Sequence, residues 1–278
     1  MQTPHHPIPE SILQQARKLR LSGLLSSLPL RLAEAQNHQL SAAQFLELVL
    51  QDELNVRHQR ELARRQSAAS FRESRALEGF DFSFNSSINR QQVYELASCH
   101  FIEEKRDAIL VGPPGVGKSH IVQALGREVV RRGYGVLYRS IFDVVRDVLE
   151  AHDAAQEGRV IKKYLKPDLL IIDDMGLKAV PERGAEILLE IIMRRYEVRS
   201  TMMTSNRPLE EWGKLLGDVP SAGAILDRLL HRAEILVIQG ESYRLKERAQ
   251  RAAAAKRGKA ITARALRNTN SAKARRNA

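Results

Sequence analysis

The sequence predicts an α/β protein in which helices cover both faces of a parallel sheet, preceded by a small all-helical segment. Three observations carry that prediction. Four short apolar runs alternate with helical stretches in the middle of the chain, the pattern of a parallel sheet. A glycine-rich loop of phosphate-binding type lies directly between the first run and a helix. Before them, from Ser11 to about Arg75, the apolar residues follow helical spacing only.

Each element has a local signature along the chain. The first ten residues hold three prolines and no periodic pattern, and read as a lead-in. Ser41 followed by Gln44 forms a capping-box signature. Behind it Phe45, Leu46, Val49, Leu50 and Leu54 recur at helical spacing. The same helix then turns polar: Arg57, Arg60 and Arg64 share one face, with Arg65 beside them. Such a face is either solvated or a contact surface for phosphates. Gly79-Phe-Asp-Phe-Ser-Phe84 breaks the helical period and reads as a linker whose aromatics pack on the next domain. The strand candidates are Ala108–Val111, Val136–Arg139, Leu169–Ile172 and Thr201–Thr204. The division expected is a helical N-terminal domain with its linker over 1–84, an α/β domain over 85–250, and a basic tail over 251–278 without an apolar face.

Charge separates these parts. Residues 1–84 carry 10 basic and 9 acidic side chains, residues 85–250 carry 25 and 24, and residues 251–278 carry 9 and none. The net charge of +11 therefore resides almost wholly in the tail. A basic tail on a balanced body either keeps the protein in solution or meets a polyanion such as nucleic acid. Lys256, Arg257 and Lys259 join the four arginines of the N-terminal helix as candidates for DNA contact. The chain's single cysteine, Cys99, excludes a disulfide framework and a cysteine-based metal cluster. No apolar stretch approaches the length of a membrane span and no secretory leader opens the chain, so a cytoplasmic protein without a membrane partner is expected.

The chemistry is concentrated at two places. Gly112-Pro113-Pro114-Gly115-Val116-Gly117-Lys118-Ser119 fits G-x-x-x-x-G-K-[S/T] without mismatch, and with His120 it is the expected nucleotide-binding stretch. Glycines let backbone N–H groups converge on phosphate oxygens, and the following helix adds its dipole. Lys118 is placed for the β- and γ-phosphates and the Ser119 hydroxyl for Mg²⁺. Leu169-Leu-Ile-Ile-Asp-Asp174 ends an apolar strand in two acids at its carboxyl end, where open α/β sheets bind ligands. Asp173 is the expected Mg²⁺ holder, and Asp174 the group that polarises the attacking water. An acid pair after a strand is also a common turn or helix cap.

With these residues in view, the chain resembles the P-loop AAA+ ATPases of the IstB/DnaC group, and within it the IstB-like ATP-binding proteins that help insertion sequences transpose. The resemblance runs from about Ser41 to Arg244. Its distinguishing stretches are Thr204-Ser-Asn-Arg-Pro208, Glu210-Glu-Trp-Gly213, Leu226-Asp-Arg-Leu-Leu-His231 and Gly240-Glu-Ser-Tyr-Arg244. It implies that Asn206 is the polar sensor of water and γ-phosphate, and that Arg228 is the finger reaching ATP on a neighbouring subunit. Arg244 matches the second, in-chain sensor. One position departs from the pattern, since these ATPases usually place Glu where this chain has Asp174, one methylene shorter.

The function implied is an ATP-dependent regulator that uses ATP and Mg²⁺, forms a homo-oligomer with ATP at its interfaces, binds duplex DNA, and assists a transposase in target selection. A replicative helicase loader would share the same ATPase chemistry. The shorter Asp174 motivates a further alternative, a nucleotide-gated DNA scaffold with little hydrolysis.

Overall fold

The computed structural model describes residues 8–151, 153–216, 219–246 and 248. Two compact units divide between Ala68 and Ala69. The tail, including Lys256, Arg257 and Lys259, lies outside the described residues.

The first unit is helical: α1 (Glu10–Lys18), α2 (Ser22–His38) and α3 (Ala42–Ala69), the last running up to the division. The capping box forms at the start of α3, where the Gln44 N–H donates to Ser41 Oγ (3.3 Å) and the Ser41 N–H to Gln44 Oε1 (2.9 Å). Buried Glu53 of α3 accepts the N–H groups of Gly23 (2.7 Å) and Leu24 (3.1 Å), placing a carboxylate on the positive end of α2. Arg31 grips Asp52 through two 2.8 Å hydrogen bonds, which hold that carboxyl down at about 2. Within the leucine-rich part of α3, Val49 is buried while Leu46, Leu50 and Leu54 are exposed. The helical span ends at Ala69 rather than near Arg75, because Ser70 turns into the left-handed region (φ 57°) and stops the helix.

The second unit is built on a five-stranded sheet. In chain order it contains α4 (Arg90–Ala97), α5 (His100–Glu103), β1 (Asp107–Val111), α6 (Lys118–Arg131), β2 (Val136–Ser140) and α7 (Ile141–Leu149). Beyond these come α8 (Ala154–Leu165), β3 (Leu169–Met175), α9 (Glu182–Arg195), β4 (Ser200–Ser205), α10 (Trp212–Leu216), α11 (Val219–His231) and β5 (Ala233–Val237). The strand order is β2-β3-β4-β1-β5, and every pair is parallel. All four predicted strands are present. β5 is an additional strand that the apolar pattern did not single out: Glu234 sits inside it and only Leu236 of its five residues is buried. An edge strand paired on one side needs no continuous apolar run, so periodicity misses it.

Alternation along the strands divides the core into two layers. Ile109, Val111, Leu170 and Ile172 face a cluster made with α7, α9 and α11. Ile171 points to the other face, where its Cδ1 meets α6 at Gly126. Trp212, fully buried, anchors the first layer, its indole N–H donating to Ser205 Oγ (3.2 Å). Both layers leave the carboxyl ends of β1, β3 and β4 pointing at one place, the end of the sheet where the glycine loop leaves β1.

Candidate functional site

The glycine loop connects β1 to α6. Gly115 (φ 87°) and Gly117 (φ 106°) take up left-handed backbone that a side chain would strain. Buried Lys118 starts α6 and turns its ammonium back into the loop, donating to the carbonyls of Gly112 (2.7 Å) and Pro113 (2.8 Å) and to Asn206 Oδ1 (2.7 Å). Burial pushes this amine down to about 8, against the pull of Asp173 and Asp174.

The acid pair sits on an irregularity of the sheet. The β3–β4 register shifts between Ile172 and Met175, and Asp174 adopts a left-handed conformation (φ 66°) that turns its side chain off the strand. Asp173 is buried and saturated with donors: Tyr138 OH on Oδ2 (2.6 Å), and Ser119 Oγ (3.1 Å), the Asp174 N–H (3.0 Å) and Thr204 Oγ1 on Oδ1. Burial, reinforced by Asp173, raises the Asp174 carboxyl above the usual carboxylate range, while Arg72, Arg244 and Lys118 oppose the rise.

A cavity of about 560 Å³ opens beside this cluster, a size within the range of small-molecule sites. The loop and Lys118, Ser119, Asp174, Asn206 and Arg244 line one part of it. The wall opposite comes from the aromatic segment after α3. Phe80 meets the His120 ring edge-on (4.9 Å) and Phe84 the Tyr243 ring (5.0 Å). Asn85 and Ser87 donate to the Gln239 carbonyl (2.6 and 2.8 Å), tying this segment to the chain beyond β5. Tyr243 closes the circuit, its N–H donating to the Gly115 carbonyl (3.0 Å).

Lys118, Ser119, His120, Asp173, Asp174 and Asn206 are thus brought together, and Arg244 joins them at the cavity. His120 contributes through its fixing of the wall, with Nε2 at 3.1 Å from the Ala76 carbonyl. Arg228 lies elsewhere on α11, paired with Asp227 (2.7 Å) and over the Tyr196 ring (5.3 Å), outside the cavity lining. On α3, Arg57 pairs with Glu53 (2.6 Å), while Arg64 (3.8 Å) and Arg65 (2.8 Å) pair with Glu61, and Arg60 donates to Ser22 Oγ. Sequence reasoning missed Tyr138 and Thr204 as two of the donors on Asp173, and Arg72, which reaches Asp174. Register holds the only signal for Tyr138, two residues before the partner of Asp173 in the β2–β3 ladder.

The donor set also bears on a metal. Among the described residues no group of three or more His, Cys, Asp and Glu side chains is placed to cage an ion. A serine hydroxyl and one carboxylate in contact are instead the hard oxygen pair with which Mg²⁺ is held alongside phosphates and water.

Comparison with known proteins decides the family. The sequence profile of the IstB-like ATP binding protein family matches residues 14–251. The chain belongs to this family. It is 38% identical over 239 residues to a protein of Pseudomonas aeruginosa named for ATP binding in insertion sequence IS21, covering 86% of this chain and 89% of that one. A second relative, named for ATP binding in insertion sequence IS5376 of Geobacillus stearothermophilus, is 35% identical, covering 77% and 85% of the two chains. Among solved structures, DnaI aligns with a TM-score of 0.52 at 19% identity, covering 62% of this chain and 93% of that one. The replication initiator DnaA bound to AMPPCP and single-stranded DNA aligns with a TM-score of 0.51 at 23% identity, covering 62% and 52%. The fold is therefore the P-loop AAA+ fold, in an ATP-binding family linked to insertion sequences. No helix among the described residues is long and apolar enough to cross a membrane.

Proposed function

We propose that this IstB-like protein is a Mg²⁺-dependent ATPase that assembles on duplex DNA with ATP between its subunits and assists the transposase of an insertion sequence in choosing its target. The observation that carries the reading is the convergence of Lys118, Ser119, Asp174 and Asn206 at one cavity at the carboxyl ends of the strands, with buried Asp173 in hydrogen-bond contact with Ser119. In this reading the loop N–H groups and Lys118 hold the β- and γ-phosphates, and Ser119 and Asp173 hold Mg²⁺. Bound Mg²⁺ supplies neutralisation of charge on the phosphate oxygens. Asp174 and Asn206 direct a water at the γ-phosphorus; its O–P bond forms as the bond to the β–γ bridging oxygen breaks, releasing ADP and phosphate. Lys118, already at Asn206 Oδ1, links the sensor to the phosphates. Arg244 reports the nucleotide from the same chain. Arg228, lying outside its own chain's cavity, serves the ATP of a neighbour, which makes hydrolysis depend on assembly.

DNA contact falls to Arg57, Arg60, Arg64 and Arg65 and to the basic tail. The most exposed of the paired arginines is Arg64, with a side chain 78% accessible. Contacts of this kind hold phosphates and read little sequence. One feature favours a nucleotide-gated scaffold with slow turnover: Asp174 is one methylene shorter than the Glu usual at this position in the ATPases the chain resembles. Sizing the protein with duplex DNA, with and without ATP and Mg²⁺, and measuring phosphate release in wild type and Arg228→Ala, tests these readings together. Expected are ATP-dependent multimers on DNA whose formation falls steeply with salt, and DNA-stimulated phosphate release lost in Arg228→Ala with ATP binding kept. A salt-insensitive complex would overturn the phosphate-contact reading. Bound ATP without release would leave the scaffold.

A further inference from the structure

The residues just beyond α3 reach the acid pair from outside the nucleotide loop, and they are fastened on the way. Phe71 fills a notch in α6, where a Cβ on Gly126 would lie 2.8 Å from the ring. Its ring lies 6.2 Å from that of Tyr138 and beneath the Arg127 guanidinium (5.2 Å). The backbone N–H groups of Arg72 and Glu73 both donate to Oε1 of buried Gln123 (3.0 and 3.1 Å), whose Nε2 donates in turn to the Ser119 carbonyl (3.2 Å). Arg127 donates to the Glu73 carbonyl (3.0 Å). The backbone at Arg72 is thus set by the same helix that carries Lys118 and Ser119.

From this mooring the Arg72 guanidinium crosses the Tyr138 ring (5.9 Å) and forks. Nη1 lies 3.4 Å from Asp174 Oδ2, and Nη2 lies 3.2 Å from Asp143 Oδ2. Asp143 does not move freely: it closes the capping box of α7, accepting from the Ser140 N–H (3.1 Å) and Oγ (2.8 Å). One arm of the fork rests on a fixed carboxylate, and the other sets the direction of Asp174. Among the described residues Arg72 is the side chain paired with the Asp174 carboxylate. Asp174 in its left-handed conformation places its carboxylate by χ1 and turns it by χ2, and the contact with Arg72 restricts both.

We propose that Arg72 is a positioning residue for ATP hydrolysis: moored to α6 and braced on Asp143, it aims the Asp174 carboxylate at the attacking water. The proposal rests on the reading that the chain hydrolyses ATP with Asp174 directing the water. The planar fork engages both carboxylates at once, whereas a lysine ammonium in its place engages one of them and aims Asp174 less well.

The test uses the full chain as wild type, Arg72→Ala, Arg72→Lys and Lys118→Ala. Phosphate release is measured against ATP concentration with duplex DNA, and a fluorescent ATP analogue with Mg²⁺ is titrated separately. Arg72→Ala is expected to lower kcat by about tenfold or more, with KM and analogue affinity within about twofold of wild type. Arg72→Lys is expected to recover part of kcat, while Lys118→Ala loses analogue binding. The proposal is overturned if Arg72→Ala keeps or raises kcat. It is equally overturned if kcat and analogue affinity fall together and Lys does no better than Ala, the signature of a clasp with no part in aiming. A wild type that binds the analogue but releases no phosphate removes the hydrolysis reading, and the role of Arg72 with it. A hydrolysing wild type with an indifferent Arg72→Ala removes the role of Arg72 alone.

Discussion

The two ends of the sheet both bury charge, and they do so to opposite purpose. At the amino ends of the strands Arg195, the last residue of α9, is buried and spends its guanidinium on the carbonyls of Tyr164 (2.9 Å), Pro167 (3.0 Å) and Ser200, with Nε on Thr201 Oγ1 (3.1 Å). Nearby Asp107 opens β1 and accepts the Thr201 N–H (2.6 Å). Every partner belongs to the protein, and the cluster closes the bottom of the sheet. At the carboxyl ends buried Lys118 and half-buried Asp174 face a cavity that exposed Arg244 also lines, and the Lys118 ammonium is occupied by loop carbonyls that a phosphate can replace. Buried charge whose partners are all internal holds a fold together. Buried charge beside open space binds a ligand.

Substitutions at each end can break this contrast. The largest effect is expected for Arg195→Ala, which strands several carbonyls and the neighbouring carboxyl: a loss of about 3–5 kcal/mol in urea denaturation, with ATP affinity of the folded protein unchanged. A coupled loss of affinity would deny that the two ends are separate. Next comes Lys118→Ala, expected to weaken ATP about a hundredfold in a titration while moving the denaturation midpoint little. Smaller is the pH dependence at the amino end. Burial pushes the Asp107 carboxyl up to about 7, so the folded chain favours its protonated form. Its contribution to stability is complete below about pH 4 and declines as pH rises through 7. Asp107→Asn stays neutral and keeps a carbonyl for the Thr201 N–H. The stability of wild type relative to this variant should therefore fall between pH 4 and 7, by about 1.4 kcal/mol per unit at most. A flat difference would show that Asp107 stays ionised throughout, held by Arg195.

The contrast also marks which features the sequence made legible. The carboxyl-end site was readable because its chemistry is local: eight consecutive residues make the loop, and an apolar strand hands over two acids. Four strands, the edge strand β2 among them, were readable from apolar runs. β5 was not, because an edge strand with Glu234 at its second position has no such run. Arg72 was not either, because its meaning lies in a contact 102 residues away with Asp174, and a lone arginine near a helix end reads as solvated. Arg195 was hidden for a similar reason, since a basic residue in the last turn of a helix ordinarily complements the dipole at the surface.

β5 has a further consequence. It is the least buried strand, joined to its neighbours on one side alone, yet within a few residues of its end the chain reaches Ser242 and Tyr243 and locks onto Gly115. Peeling this margin away from β1 would therefore release the segment held on Gly115 in the same event, so that this outer seam of the sheet and the closure of the cavity share a single fate.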